Sequence, residues 1–296
     1  MVDLHPETLF PHVAGVLPSI EFEHVSLTYP PKEEGASPST ILEDVSFRIN
    51  PGERVALISP SGGGKTSIFN LLFGYYQPTR GVIRINGQDI SKISLNDLQR
   101  NISLLGQNPN LFKGSVRENI LYGAQNPESV SDEMIFDLAR TAGLYDFLQQ
   151  LPEKLDTDVG EDGKTLSGGQ QQKVAILRGL IKKSPILLCD EVTASLDAES
   201  IRPILEVIKS QVLQATELMI THKLAEVSFF ADRIIVIDGG RVVGQGTHQE
   251  LLQSCELYHR LWEAHEQPVA ASATAFYAAA TSSTDDHEKA GAPCSS

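Results

Sequence analysis

Long apolar runs are missing from this 296-residue sequence. No stretch approaches the roughly 20 residues that cross a bilayer as a helix, which argues against direct membrane insertion. The first 20 residues lack the charged start and apolar stretch of a secretory signal. The expectation is a chain soluble by itself and tied to a membrane only through a partner. Cysteine is scarce: Cys189, Cys255 and Cys294 lie far apart with no metal-ligand spacing, and read as reduced thiols, buried or incidental, in a reducing compartment. Positive charge is in deficit, with 24 Lys and Arg against 38 Asp and Glu, a net of −14. A general nucleic-acid binder needs a basic face, so no nucleic-acid partner is expected. A local basic pocket for a small phosphate ligand remains compatible with that charge.

What is present divides into three zones. Residues 1–18 are Pro-rich, lack periodicity and read as a leader or linker. From 19 to about 265 strands and helices alternate as in a globular α/β domain. Residues 266–296 turn to Ala, Ser and Thr, with seven alanines between 268 and 284. Such a segment buries too little apolar area to offset its ordering entropy, and disorder is expected, with an Ala-rich helical turn as the alternative. Within the middle zone, IEFEHVSLTY (20–29) alternates as an edge-like strand and ILEDVSFRIN (41–50) follows as a second. ERVALIS (53–59) is a short apolar strand, and KTSIFNLLFGYY (65–76) has helical apolar spacing. GVIRINGQDI (81–90) reads as a strand pair turning at Asn86-Gly87. PILLCDE (185–191), TELMITH (216–222) and RIIVIDGGRVVGQG (233–246) read as buried strands, implying a largely parallel central sheet.

The chemistry begins at SPSGGGKTS (59–67), between a strand and a helix. It is a phosphate-binding P-loop but for Ser59, which stands where the motif G-x-x-x-x-G-K-[ST] has its first glycine. Backbone N–H groups of Ser59, Pro60, Ser61, Gly62, Gly63 and Gly64 and their neighbours would line an anion site, proline excepted since it has none. The positive end of the following helix reinforces it. Lys65 would reach the β- and γ-phosphates, Thr66 would ligate Mg²⁺, and Ser67 would sit in the helix's first turn. Ser59 is small and is expected to be tolerated. A second apolar strand, ILLCDE, ends in Asp190, placed to hold Mg²⁺, and Glu191, placed to orient or deprotonate the attacking water. TLSGGQQQ (165–172), ahead of another helical run, makes a second phosphate-binding helix N-terminus. One nucleotide does not need two such surfaces from one chain, so two chains facing each other are expected to use both.

In order and spacing these motifs resemble the nucleotide-binding domain of ATP-binding cassette (ABC) transporters, over about residues 19–263. The resemblance implies a P-loop NTPase core with a mixed, largely parallel sheet, an N-terminal antiparallel β subdomain, and a helical subdomain, about 108–165, leading to the signature motif. It implies that Tyr29 stacks on adenine, Gln107 is the Q-loop glutamine and a further Mg²⁺ ligand, SLD (195–197) is the D-loop, and His222 is the switch histidine. LSGGQ (166–170) is the signature, so that Ser167, Gly168, Gly169 and Gln170 cover ATP bound to a second chain. The implied catalytic set is Lys65, Gln107, Asp190, Glu191 and His222. NPNLFKGSVRENILYG (108–123), TDVGEDG (157–163) and GQGTHQELL (244–252) look like the exporter branch, with Glu161 in its X-loop. The departures are Ser59, Gln171 and Lys173 in the signature helix, and Cys189. The expected function is that of an ATPase subunit or excised domain which powers export through a transmembrane partner, acting as a homodimer or with a paired ABC ATPase domain at the cytoplasmic face of a membrane. The alternatives are a non-transport ABC module with a regulatory or scaffolding role and a degenerate cassette that does not hydrolyse ATP.

Overall fold

The computed structural model describes residues 17–30, 38–60, 62–209 and 215–264. The linker expected over 1–18, except its last two residues, lies outside the described residues, as do the 266–296 tail, Ser61 and Cys294. Strands β1 (Ile20–Tyr29) and β2 (Ser39–Ile49) come first. Strand β3 (Arg54–Ile58) runs through the glycine-rich loop into α1 (Lys65–Leu72). The hairpin β4 (Arg80–Ile85) and β5 (Gln88–Asp89), α2 (Leu95–Arg100) and β6 (Ile102–Leu105) follow. Four helices come next: α3 (Val116–Leu121), α4 (Asp132–Thr141), α5 (Tyr145–Gln150) and α6 (Gly168–Ile181). The last part holds β7 (Ile186–Asp190), α7 (Ala198–Lys209), β8 (Thr216–Ile220), α8 (Leu224–Phe230), β9 (Arg233–Asp238), β10 (Arg241–Gly246) and α9 (His248–Ser254). No helix among the described residues is long and apolar enough to cross a membrane.

Two sheets result. One is antiparallel, in the order β2-β1-β4-β5. The other runs β10-β9-β3-β8-β7-β6, parallel throughout except for the β9–β10 pair. This is the mixed α/β architecture expected of a P-loop NTPase. Two strand expectations change. β1 is not an edge strand, because β2 and β4 pair with it on either side. Its edge-like look comes from a bulge. His24 adopts a left-handed φ of +51° and Asp44, opposite on β2, one of +55°. One extra residue shifts the inward parity, so Ile20 and Phe22 face the core before the bulge and Val25 and Leu27 after it. Likewise, 233–246 is not one buried strand but a hairpin turning at two positive-φ glycines, Gly239 and Gly240. The helix expected over 65–76 stops at Leu72, just before Gly74 takes a φ of +73°.

The inner strands β3, β7, β8 and β9 are buried on both faces, which is why they read as unbroken apolar runs. Ile186 and Leu188 of β7 join a core with α1 and the antiparallel sheet, while Leu187 and Cys189 join the core of the helical region. A third cluster packs α8 and α9 beneath β3 and β9 through Ile58, Val227, Val236 and Tyr258.

One buried group does not fit an apolar core. Glu217, in β8, is 2 % exposed, and its Oε2 has no hydrogen-bond partner among the described residues. Burial pushes its carboxyl up from 4.5 to about 9, and the Arg54 charge offsets only part of this. The folded chain therefore holds this proton where the unfolded chain has lost it, and stability falls as pH rises from about 4.5 to about 9. Glu217→Gln removes the titration. Its melting temperature should match the parent's near pH 5 and exceed it by several degrees at pH 8.5, as read by thermal unfolding across that range.

Candidate functional site

The parallel register sets the site. Leu105 of β6 pairs with Cys189 of β7, Asp190 pairs with Ile220 of β8, and Ile220 pairs with Leu57 of β3. The segments leaving these strand ends carry Gln107, Glu191, His222 and the loop starting at Ser59, so the four emerge side by side. This is the carboxyl edge of an open parallel sheet, where ligands of such folds bind.

The loop suits an anion. Gly64 caps α1 with a φ of +89°, and among the described residues no side chain caps the N–H groups of the helix's first turn. Gly62, at φ +81°, has open space where a Cβ would stand. Lys65 is buried, and its ammonium donates to the Ser59 carbonyl at 2.8 Å and to Ser59 Oγ at 3.2 Å. Burial lowers the Lys65 pKa, while the Glu191 and Asp190 charges push it back up. Thr66 is exposed, and Ser67 is buried beneath it. Tyr29, at the end of β1, donates its hydroxyl to Ser67 Oγ at 3.2 Å and meets Tyr76 edge-on, with 4.8 Å between centroids.

Opposite the lysine, burial raises the Asp190 pKa and the adjacent Glu191 charge adds to the rise, against Lys65 and His222. Both Glu191 oxygens are engaged. Gln107 Nε2 donates to Oε2 at 3.0 Å, and His222 Nε2 lies 2.9 Å from Oε1. Glu191 holds a left-handed φ of +48°, a costly conformation for a side chain of its size. Its N–H donates to the Ile220 carbonyl at 2.8 Å, and its carbonyl accepts from Ala194 N–H at 2.9 Å. For a metal, Thr66, Asp190 and Gln107 offer only oxygen ligands, the set that suits a hard, partly hydrated cation such as Mg²⁺.

The signature residues are placed apart from this cluster. Ser167 caps α6 in a capping box: its hydroxyl accepts from Gln170 N–H at 3.3 Å, and Gln170 Oε1 accepts from Ser167 N–H at 2.9 Å. Ser167 and Gly168 are exposed. A Cβ on Gly169 would stand 3.1 Å from the Ser195 carbonyl, so this turn lies against the D-loop, where Lys173 also pairs with Asp197 at 2.8 Å. Among the described residues no hydrogen bond joins Ser167–Gln170 to the loop at 59–67. Glu161 lies exposed on a short helical turn.

Sequence reasoning missed the support around the cluster. Glu226, only 7 % exposed, accepts from Thr193 Oγ1 at 2.7 and 2.8 Å and from Thr221 Oγ1 at 3.3 Å, and its carboxylate lies 3.3 Å from Lys223 Nζ. This ties the turn after Glu191 to the His222 loop. The available signal was an acidic residue on the buried face of a short apolar helix. Nothing in the spacing singled out Tyr76.

Ser59 is more than a tolerated change. A Cβ on Gly63 would stand 2.1 Å from Ser59 Oγ, and the same hydroxyl donates to the Pro60 carbonyl at 2.8 Å. Ser59 therefore makes glycine obligatory at 63. Gly63→Ala should weaken ATP binding tenfold or more, about 1.4 kcal/mol. Ser59→Gly alone should change it well under tenfold, and Ser59→Gly with Gly63→Ala should recover most of the loss. Equilibrium nucleotide titration of the three variants reads this coupling.

Comparison with known proteins agrees with this arrangement. The sequence model of the ABC transporter family matches residues 42–194, just over half of the chain. An ATP-dependent lipid A-core flippase of Albidiferax ferrireducens is 43% identical over 240 residues, 81% of this chain and 40% of that protein. The flippase of the same name from Coxiella burnetii is 39% identical over 264 residues, 88% of this chain and 44% of that protein. The chain thus spans about two fifths of the length of these relatives. The solved structure of a bacterial Atm1-family ABC exporter with ATP bound superposes with a TM-score of 0.78 at 35% identity, covering 88% of this chain and 43% of that one. The family match runs from β2 through the turn after Glu191 and so takes in the loop at 59–67, Gln107, Asp190 and Glu191: the chain belongs to the ABC transporter family, as a nucleotide-binding domain of the exporter type.

Proposed function

We propose that this chain binds and hydrolyses ATP to power export through a membrane-spanning domain, from the cytoplasmic face of a membrane. The ATPase unit runs over 19–265, with its helical part over about 108–165. The observation that carries the reading is Glu191, held by Gln107 and His222 beside Lys65 and Asp190. A carboxylate fixed by two polar side chains next to a phosphate-binding loop is what attack by water on a terminal phosphate requires.

Tyr29 stacks on the adenine. Ser59, Pro60, Ser61, Gly62, Gly63, Gly64, Thr66 and Ser67 surround the phosphates, and Lys65 exchanges its contacts with Ser59 for phosphate oxygens. Thr66, Asp190 and Gln107 hold Mg²⁺, which when bound neutralises charge on the phosphates. Glu191 orients the attacking water or takes its proton, and His222 steadies both Glu191 and the terminal phosphate. The exposed Ser167 and Gly168, with Gly169 and Gln170, cover ATP bound to a facing copy or a paired ABC ATPase domain. Gln107 and Glu161 pass the nucleotide state to the membrane partner.

The test uses Glu191→Gln, which keeps the shape and the acceptor facing Gln107 but removes the charge. It should bind ATP, form a dimer only with Mg-ATP, and hydrolyse at least a hundredfold more slowly than the parent. Size-exclusion chromatography with and without Mg-ATP reads the dimer, and phosphate release reads the rate. Adding Ser167→Arg should abolish the dimer and leave ATP binding intact. A dimer that persists in that double variant would remove the signature motif from the site.

A further inference from the structure

Gln172 lies in α6, two residues beyond the signature, and is 1 % exposed. Its single amide nitrogen serves two backbones. Nε2 donates to the Gly106 carbonyl at 3.0 Å and to the Val192 carbonyl at 3.0 Å. Gly106 immediately precedes Gln107, and Val192 immediately follows Glu191. The other end of the amide is unused: Oε1 is buried with no hydrogen-bond partner among the described residues. Burying a bare amide oxygen is unfavourable. A side chain needed only to fill this space would do so better as Leu or Met, so the two N–H bonds are what the position retains glutamine for.

What those bonds do follows from their targets. Gln107 and Glu191 meet across a gap bridged by one 3.0 Å hydrogen bond, and Gln107 is exposed. Glu191 is held in a left-handed conformation that the surrounding structure must enforce. Gln172 binds both main chains one residue away from these groups, from beneath, on a helix whose 14 residues give it a rigid base. We propose that Gln172 is a positioning residue for hydrolysis, clamping the backbones of Gln107 and Glu191 so that the two side chains keep one fixed separation. This rests on the reading of Glu191 and Gln107 as hydrolytic groups. Gln172 itself touches no substrate.

The test uses the 296-residue chain. Gln172→Met keeps the length of the side chain, removes both N–H donors, and also removes the bare acceptor, which limits the loss of stability. The expected result is a kcat at least tenfold lower, with KM and the Kd for ATP within twofold of the parent. In the Glu191→Gln background the same change should leave Mg-ATP-driven dimerisation intact, whereas general damage to α6 would weaken it. In a Gln107→Ala background the added loss of kcat should shrink to under threefold, because one of the two clamped groups is already gone. A kcat within twofold of the parent, or a tenfold loss that repeats in full on Gln107→Ala, would overturn the proposal. If Gln172→Met does not fold, Gln172→Leu, which likewise has neither donor nor acceptor, takes the same measurements and the same criteria. Failure of the underlying reading shows separately, as a Glu191→Gln chain that hydrolyses ATP at the parent rate.

Discussion

Hydrogen-bonded register between parallel strands is the constraint on which everything else in this molecule rests. β6, β7, β8 and β3 lie in sequence across the sheet with Leu105 beside Cys189, Asp190 beside Ile220, and Ile220 beside Leu57. A slip of one residue in any pair would turn buried side chains to the opposite face. It would also move one chemical group about 3.3 Å along the edge, enough to part Glu191 from Gln107 or His222. The apolar faces that lock the register are thus also what aligns the polar groups. Ile186 and Leu188 are claimed by one core and Leu187 and Cys189 by the other.

The cleft at that edge places unlike charges where water is sparse. Burial lowers the Lys65 pKa and raises that of Asp190. Each is kept nearer its charged form by the other, and the loop supplies Lys65 with the Ser59 carbonyl and hydroxyl. Ser59 therefore belongs to the electrostatics of the loop as well as to its shape. A glycine there would leave the carbonyl contact and lose the hydroxyl, while relaxing the demand for glycine at 63. Glu217 shows the other outcome of burial: with Arg54 giving only partial relief, the acid keeps its proton up to about pH 9.

Around this cleft lies a ring of support built from backbone carbonyls and buried polar side chains. Gln172 reaches Gly106 and Val192, and Glu226 reaches Thr193 and Thr221. Both act on residues one or two positions in sequence from Gln107, Glu191 and His222. The signature turn meets the D-loop through Gly169 and Ser195, and Lys173 meets Asp197. Helix α6 therefore touches, within one chain, the segment before Gln107 and the segment after Glu191, while Ser167 and Gly168 at its start stay exposed.

The sequence alone determined the parts whose information is local. The loop at 59–67, the acidic pair after an apolar strand, and the small residues opening α6 were legible because each needs specific residue types at fixed spacing. The parallel sheet was legible because strands buried on both faces carry no polar alternation. Tertiary structure decided the rest, where information comes from residues far apart in the chain. The edge-like pattern of β1 came from a bulge shared with β2, which only the pairing of His24 with Asp44 explains. Gln172 looked like one glutamine of three in a row, and Glu226 like an ordinary helix charge. Their roles depend on carbonyls and hydroxyls brought to them from 66 and 33 residues away by the packing of α6 and α8 under the sheet edge. A hydrogen bond between such distant groups is a property of the assembled core, and no spacing along the chain encodes it.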